Sequence, residues 1–257
     1  MNNEINTFYD KGFIIKKILT NEQCDKINEY IENNNKNAYY EKNTNIKFGY
    51  KFDSEEISPI KDCITENPII NEFCSKILST FKCSIIRSYY KSAFIARDIE
   101  YHQEYAYKDL HPHTDNWQDY IQIFIALEDH SLENSCLKII PESHKMGHLK
   151  YNDIVNSNLE HKKAVSYEDL RFAYNKYGIV NCELKKGEAI FFNYLIIHGS
   201  QNNNSPFSRH ALVCSMYKSD LTIDNNIVTN FTKKRKEYTI HVLEDKIKQL
   251  KQDLTTL

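Results

Sequence analysis

The chain has 257 residues, 41% hydrophobic and 26% charged, with a formal net charge of −2. That length buries a sizeable core, and one domain is its simplest count. The near-neutral balance gives no electrostatic reason to expect nucleic acid or an anionic membrane as a partner. No apolar run approaches a membrane span, and the polar start, Met1 to Asp10, lacks the apolar core of a signal peptide. The seven cysteines (Cys24, Cys63, Cys74, Cys83, Cys136, Cys182, Cys214) are odd in number and contain no Cys-x-x-Cys pair. That pattern points to reduced thiols in a cytoplasmic protein rather than to a disulfide framework or a zinc site.

In chain order, Gly12-Phe13-Ile14-Ile15 opens a short apolar run of strand type. Thr20 followed by Gln23 forms a capping box, and the helix it starts runs to about Glu32 with Cys24, Ile27, Tyr30 and Ile31 inward. Residues 34–56 show no helical period and are read as loop with one short strand. The apolar positions from Ile57 to Phe81 have helical spacing, and Pro68 splits them into two helices. From Cys83 the pattern turns to strand: Cys83 to Ala96, Glu100 to Tyr107, Tyr120 to Leu127, Leu137 to Ile140, Val180 to Leu184, Glu188 to Phe192 and Arg209 to Tyr217. Between them, 144–178 is a polar insertion or lid with a helix near Tyr167 to Tyr174. Near the end, Leu243, Ile247, Leu250, Leu254 and Leu257 follow heptad spacing on a helix over 236–257. It docks on its own domain or, less simply, joins two copies into a homodimer.

Many short strands after a helical start imply a mainly β chain with flanking helices, built on a jelly-roll or cupin-type double sheet. The expected organisation is a helical and strand region over 8–82, a jelly-roll core over 83–220 and the C-terminal helix. No internal repeat or linker marks a second domain.

Three side chains suggest chemistry. His113 and Asp115 stand two apart in Leu-His-Pro-His-Thr-Asp-Asn, and His198 lies far along the chain in Ile-Ile-His-Gly-Ser. Two imidazoles and one carboxylate with open positions form the ligand set of mononuclear non-haem Fe(II) oxygenases. Arg209 follows His198 by eleven residues. If the strands on either side of the 202–206 turn pair as a hairpin, Arg209 points into the barrel that His198 faces. A guanidinium there needs compensation, and a small carboxylate bound in bidentate fashion provides it.

The segment IALEDHSLENSCLKIIPESHK (Ile125 to Lys145) resembles the phytanoyl-CoA dioxygenase family of Fe(II)/2-oxoglutarate oxygenases. Lys186 to Phe192, His198-Gly199-Ser200, Asn202 and Arg209 are similar to later parts of the family pattern, and Gly12 to Ile15 with its following helix to the opening. The likeness covers about residues 8–220. It implies a double-stranded β-helix core with N-terminal helices packed on one sheet. It implies iron held by His113, Asp115 and His198, with Arg209 and Ser200 on the distal carboxylate of 2-oxoglutarate, and O2 as co-reactant. The activity implied is hydroxylation of a C–H bond in a small-molecule substrate, with 2-oxoglutarate converted to succinate. Two departures stand out: the family's Asn-Gly turn is Asn134-Ser135 here, and its Pro-Gly-Ser-His is Pro141-Glu142-Ser143-His144. Both are expected outside the metal shell.

His102-Gln103-Glu104 competes with His113/Asp115, because it resembles the family's His-Gln-Asp form with Glu as the acid. The unmodified His-x-Asp and its short lead into the Tyr120 strand favour His113 and Asp115, and His102 and Glu104 then line the substrate pocket. Two other functions stay open. One is a metal-dependent cupin-type enzyme that does not use 2-oxoglutarate, and the other a non-catalytic binding module of the same fold.

Overall fold

The computed structural model describes residues 3–33, 38–40, 47–52, 58–104, 117–153 and 163–221. They belong to one unit, Met1–Ala106 with Thr114–Asp220; a second, Tyr107–His113 with Leu221–Leu257, lies outside the described residues apart from Leu221. The heptad-spaced segment 236–257 falls in that second unit.

The chain begins with α1 (Asn3–Lys11), which buries only Phe8 and so leaves little periodic signal in the sequence. Gly12 turns it into β1 (Phe13–Lys17) at φ +83°, where a Cβ would lie 2.5 Å from both His144 Nδ1 and Ile196 Cδ1. The capping box at Thr20 forms as the sequence predicts. The Gln23 N–H donates to Thr20 Oγ1 at 3.1 Å, and the Thr20 N–H donates to Gln23 Oε1 at 2.8 Å. Helix α2 (Asn21–Asn33) then buries Cys24, Ile27 and Ile31. Two strands follow where one was expected, β2 (Ala38–Tyr40) and β3 (Lys47–Phe52). Helices α3 (Ser58–Thr65) and α4 (Pro68–Leu78) divide at Pro68. Asn67 caps α4 by accepting from the N–H groups of Ile69 and Ile70, and its amide donates to Ile18 O at 2.9 Å, which fixes the helix against the end of β1.

The strands that follow are β4 (Phe81–Lys91), β5 (Ile99–His102), β6 (Tyr120–Ala126) and β7 (Leu137–Ile140). A ribbon of β8 (Tyr151–Asp153) and β9 (Lys163–Val165) leads to α5 (Tyr167–Tyr177). Last come β10 (Val180–Cys182), β11 (Glu188–Asn193), β12 (Ile197–Ser200) and β13 (Arg209–Lys218). They form a seven-stranded sheet in the order β1-β11-β6-β13-β4-β3-β2 and a four-stranded sheet in the order β10-β7-β12-β5. Mostly β with flanking helices, this is the double sheet expected.

Burial explains why β6 reads as a nearly continuous apolar run. Ile121, Ile123 and Ile125 pack outward on α1–α4 through Phe8, Ile27, Ile64 and Phe73. Phe124 and Ala126 point inward with Phe192, Ala211 and Val213 against Leu137 and Ile139 of the smaller sheet. Helix α5 covers that sheet's outer face through Ala173, with Ile140 and Ile197 beneath it. The 144–178 insertion therefore packs its helix outside the sandwich.

The hairpin expected around 202–206 does not form. Strand β12 pairs with β5 and β7, whereas β13 pairs with β4 and β6. The chain crosses between sheets there, so Arg209 faces His198's layer from the opposite side of the interior. Among the described residues no helix is long and apolar enough to cross a membrane. Since Gly12 combines a positive φ with no room for a Cβ, Gly12→Ala should lower stability by about 2 kcal/mol or more, read as a lower urea midpoint at unchanged slope.

Candidate active site

Antiparallel pairing of β5 with β12 sets His102 opposite His198 as Cα partners. Directly opposed residues project from the same face of a sheet, and the two imidazole rings stand 4.3 Å apart, centre to centre. Gly199 permits this approach, because a Cβ there would lie 2.8 Å from Ile99 O. Glu104 follows two residues after His102, and its Oε1 is 3.4 Å from His198 Nε2. One ligand atom from each of His102, Glu104 and His198 lies within 4.8 Å of the others, with both histidines buried and the carboxylate half-buried.

Both histidines are held in one tautomer by their own strands. His102 Nδ1 lies 2.7 Å from Glu100 O, and His198 Nδ1 lies 3.1 Å from Ile196 O. A carbonyl only accepts, so each Nδ1 carries the proton and each Nε2 presents its lone pair, the form that binds a metal. Between the ligand candidates, Gln103 points the other way. Its amide donates to Leu195 O at 2.7 Å and Gly147 O at 3.0 Å, and its Oε1 accepts from the Leu149 N–H at 3.0 Å. Three bonds thus pin the end of β5, a positioning role that the sequence reading missed because a central Gln in such a motif carries no ligand chemistry.

Ser200, two residues beyond His198, faces the interior with it. Its buried Oγ has no hydrogen-bond partner among the described residues. Arg209 approaches from β13, 2% exposed, and donates through Nη1 to Ser135 O at 2.5 Å. Its guanidinium lies 5.5 Å from the Phe124 ring centre, and its buried Nε lacks a hydrogen-bond partner among the described residues. Burial lowers its pKa to about 10, which leaves it charged at neutral pH. Beside it, burial first and the Arg209 charge second push His130 down to about 3, so that imidazole is neutral. A buried cation with a spare donor suits a small carboxylate, and the orphaned Ser200 hydroxyl on the other sheet offers a further donor.

The Ser135 turn, expected outside the metal shell, supplies the carbonyl that holds Arg209. Ser135 (φ 67°) and Glu142 (φ 63°) both occupy the left-handed region, which accounts for glycine at the matching positions of the family pattern. Glu142 is anchored by Lys11 at 2.6 Å and Lys145 at 3.0 Å. His144, in a short 3-10 turn (Ser143–Met146), is tied to the backbone through Nε2, 3.0 Å from Tyr9 O. His113 and Asp115 lie outside the described residues.

The family model for phytanoyl-CoA dioxygenase (PhyH) matches residues 8–211. A phytanoyl-CoA dioxygenase domain-containing protein 1 homolog of Dictyostelium discoideum is 31% identical over 165 residues, 63% of this chain and 52% of that protein. A phytanoyl-CoA dioxygenase of Arabidopsis thaliana is 33% identical over 115 residues, 42% of this chain and 38% of that protein. The chain thus spans about half the length of the Dictyostelium relative and less of the plant one. Among solved structures, EctD from S. alaskensis with 2-oxoglutarate and 5-hydroxyectoine superposes at TM-score 0.61 and 16% identity, over 82% of this chain and 74% of that one. The epimerase SnoN, in complex with Fe3+, alpha ketoglutarate and nogalamycin RO, superposes at TM-score 0.67 and 11% identity, over 84% and 82%. At such identities these structures speak for the fold alone. The match over residues 8–211 settles the kinship: the chain belongs to the phytanoyl-CoA dioxygenase family.

Proposed function

We propose that the protein is an Fe(II)- and 2-oxoglutarate-dependent dioxygenase that hydroxylates a C–H bond of a small metabolite or biosynthetic intermediate. The observation that carries this reading is the convergence of two imidazoles and a carboxylate within 4.8 Å. A buried arginine with no carboxylate partner among the described residues supports the cosubstrate. His102, Glu104 and His198 fit the iron, since each histidine presents Nε2 and the carboxylate reaches the same point; His113 and Asp115 are the competing pair. Arg209 and Ser200 fit the distal carboxylate of 2-oxoglutarate.

When bound, iron and 2-oxoglutarate supply the activation of dioxygen, with release of succinate and carbon dioxide and insertion of one oxygen atom into the substrate. The chain's own residues do the rest. Nδ1–H bonds to Glu100 and Ile196 keep both imidazoles oriented, and Gln103 holds the strand end that carries two of the three groups. Phe124 and Phe192 exclude water from the interior, Phe192 with its ring 4.8 Å from that of His198. A non-catalytic module would have no need of a buried, half-satisfied arginine beside these groups. On the interior face Gln122 and Ser215 are buried and hydrogen-bonded to each other, and they favour a polar substrate over a wholly aliphatic one. None of the seven cysteines is in a disulfide, as a reducing compartment such as the cytoplasm would keep them.

Anaerobic iron titration discriminates the two ligand pairs. His102→Ala, Glu104→Ala and His198→Ala should each lose stoichiometric Fe(II) binding and succinate formation, while His113→Ala and Asp115→Ala retain iron. Loss in the second set with retention in His102→Ala would move the ligands to His113 and Asp115. Arg209→Ala should keep iron but weaken 2-oxoglutarate by about thirtyfold or more, because it removes one partner of a buried charged pair. An unchanged 2-oxoglutarate requirement in that variant would rule out the assigned role.

A further inference from the structure

We propose that a cavity at the end of the sandwich away from Glu104 binds a small aliphatic amine, taking a primary ammonium on a short apolar stem. Strand β5 runs from Ile99 to His102 with Glu104 beyond it, and Ser200 of β12 pairs with Ile99. The chain after Ser200 therefore leaves the double sheet at the opposite end from Glu104. There, residues of 128–134 after β6, 183–185 after β10 and 206–208 before β13 enclose about 600 Å³. His130 and Leu184 join the first two segments through a pair of backbone hydrogen bonds at 2.8 and 3.0 Å. The Asn134 amide ties the first to the third, donating to Asp129 O at 2.9 Å and to Ser208 O at 3.4 Å. The walls are thus built into the fold.

The charge of those walls selects the ligand. Glu128, Asp129 and Glu183 line the cavity, against one cation, Lys185. Lys185 pairs with Asp129 at 2.9 Å, and the Lys186 N–H donates to the same carboxylate. Neither Glu128 nor Glu183 has a salt bridge among the described residues. Glu183 accepts the Leu132 N–H at 3.3 Å. Glu128 accepts from the His210 backbone, and its buried Oε2 has no hydrogen-bond partner among the described residues. Burial pushes this carboxyl up; the nearby Lys186 ammonium opposes that but is itself paired with Asp25. A cation with several N–H donors relieves such a carboxylate. His130, 2% exposed, adds an acceptor to the same wall. Its Nε2 lies 3.0 Å from His210 O and so carries the proton, which leaves on Nδ1 a lone pair with no partner among the described residues. Phe207, 61% exposed, borders the cavity and offers a ring face to the ammonium. Among the described residues these groups do not converge as metal ligands do, so the fitting cation is organic.

The test is calorimetric titration of the full chain at about 0.15 M salt, where exposed charges are largely screened. One ligand is 1,5-diaminopentane; the other is 1,5-pentanediol, which keeps the stem and loses the charge. The diamine should bind and the diol should not. Glu128→Gln and Glu183→Gln should each weaken the diamine by about tenfold, and Phe207→Ala by about threefold. Equal binding of the two ligands, no binding of the diamine to the wild-type protein, or unchanged affinity in the glutamine variants would overturn the proposal. If Glu128→Gln does not fold, Glu183→Gln carries the test, because that side chain is exposed. The measurement needs neither iron nor 2-oxoglutarate, so its outcome is independent of the active-site assignment.

Discussion

The register of β5 against β12 is the constraint on which the candidate site depends. Because His102 and His198 are direct partners, their side chains leave the sheet side by side. A slip of one residue would turn one imidazole to the opposite face, towards the layer beneath α5. The sequence protects this register at several points. Gly199 lets the two backbones approach, Gln103 ties the end of β5 to Leu195 and the Gly147–Leu149 loop, and Ser143 accepts none of that load but donates to Ile140 O while taking the Ile197 N–H at 2.8 Å. The placement of the two candidate imidazoles is thus a property of strand pairing, with Glu104 following just beyond the end of β5.

The other half of the site works by incompletion. A protein interior tolerates a guanidinium when its donors are met, and here Ser135 O meets one while Nε is left over among the described residues. The Phe124 ring lies beside the cation and helps to keep it dry. Stability given up in this way is of the kind that a bound small carboxylate restores. His130 stays neutral nearby, first because it is buried and second because of the same arginine charge.

Much of the architecture was legible in the sequence. The capping box at Thr20, the break at Pro68 and the strand stopped by Pro141 are local signals, and local signals survive into the fold. Helix α1 was missed because it buries a single aromatic side chain. The facing of Gln122 and Phe124 was unreadable because β6 is covered on both sides, so alternation vanishes and only pairing with β11 and β13 fixes parity. The sheet change between Ser200 and Arg209 was also invisible, since turn residues mark a reversal without saying which sheet receives the next strand. His198 and Arg209 could be singled out by residue type and spacing, and Ser200 by the family resemblance. The partners that brace them, Gln103 and Ser135, come from other segments and have no spacing to read.

The hydrogen bonds from the two imidazoles end on carbonyls of their own strands, each two residues back along the chain. Where a histidine is oriented by another side chain, a substitution at that partner retunes or disables it. Here the orienting group is backbone, present whatever residue occupies positions 100 and 196. The surroundings can therefore change composition while proton placement on these two imidazoles stays the same. A scaffold of this kind can diverge in what it admits to the interior and keep a constant chemistry at its heart.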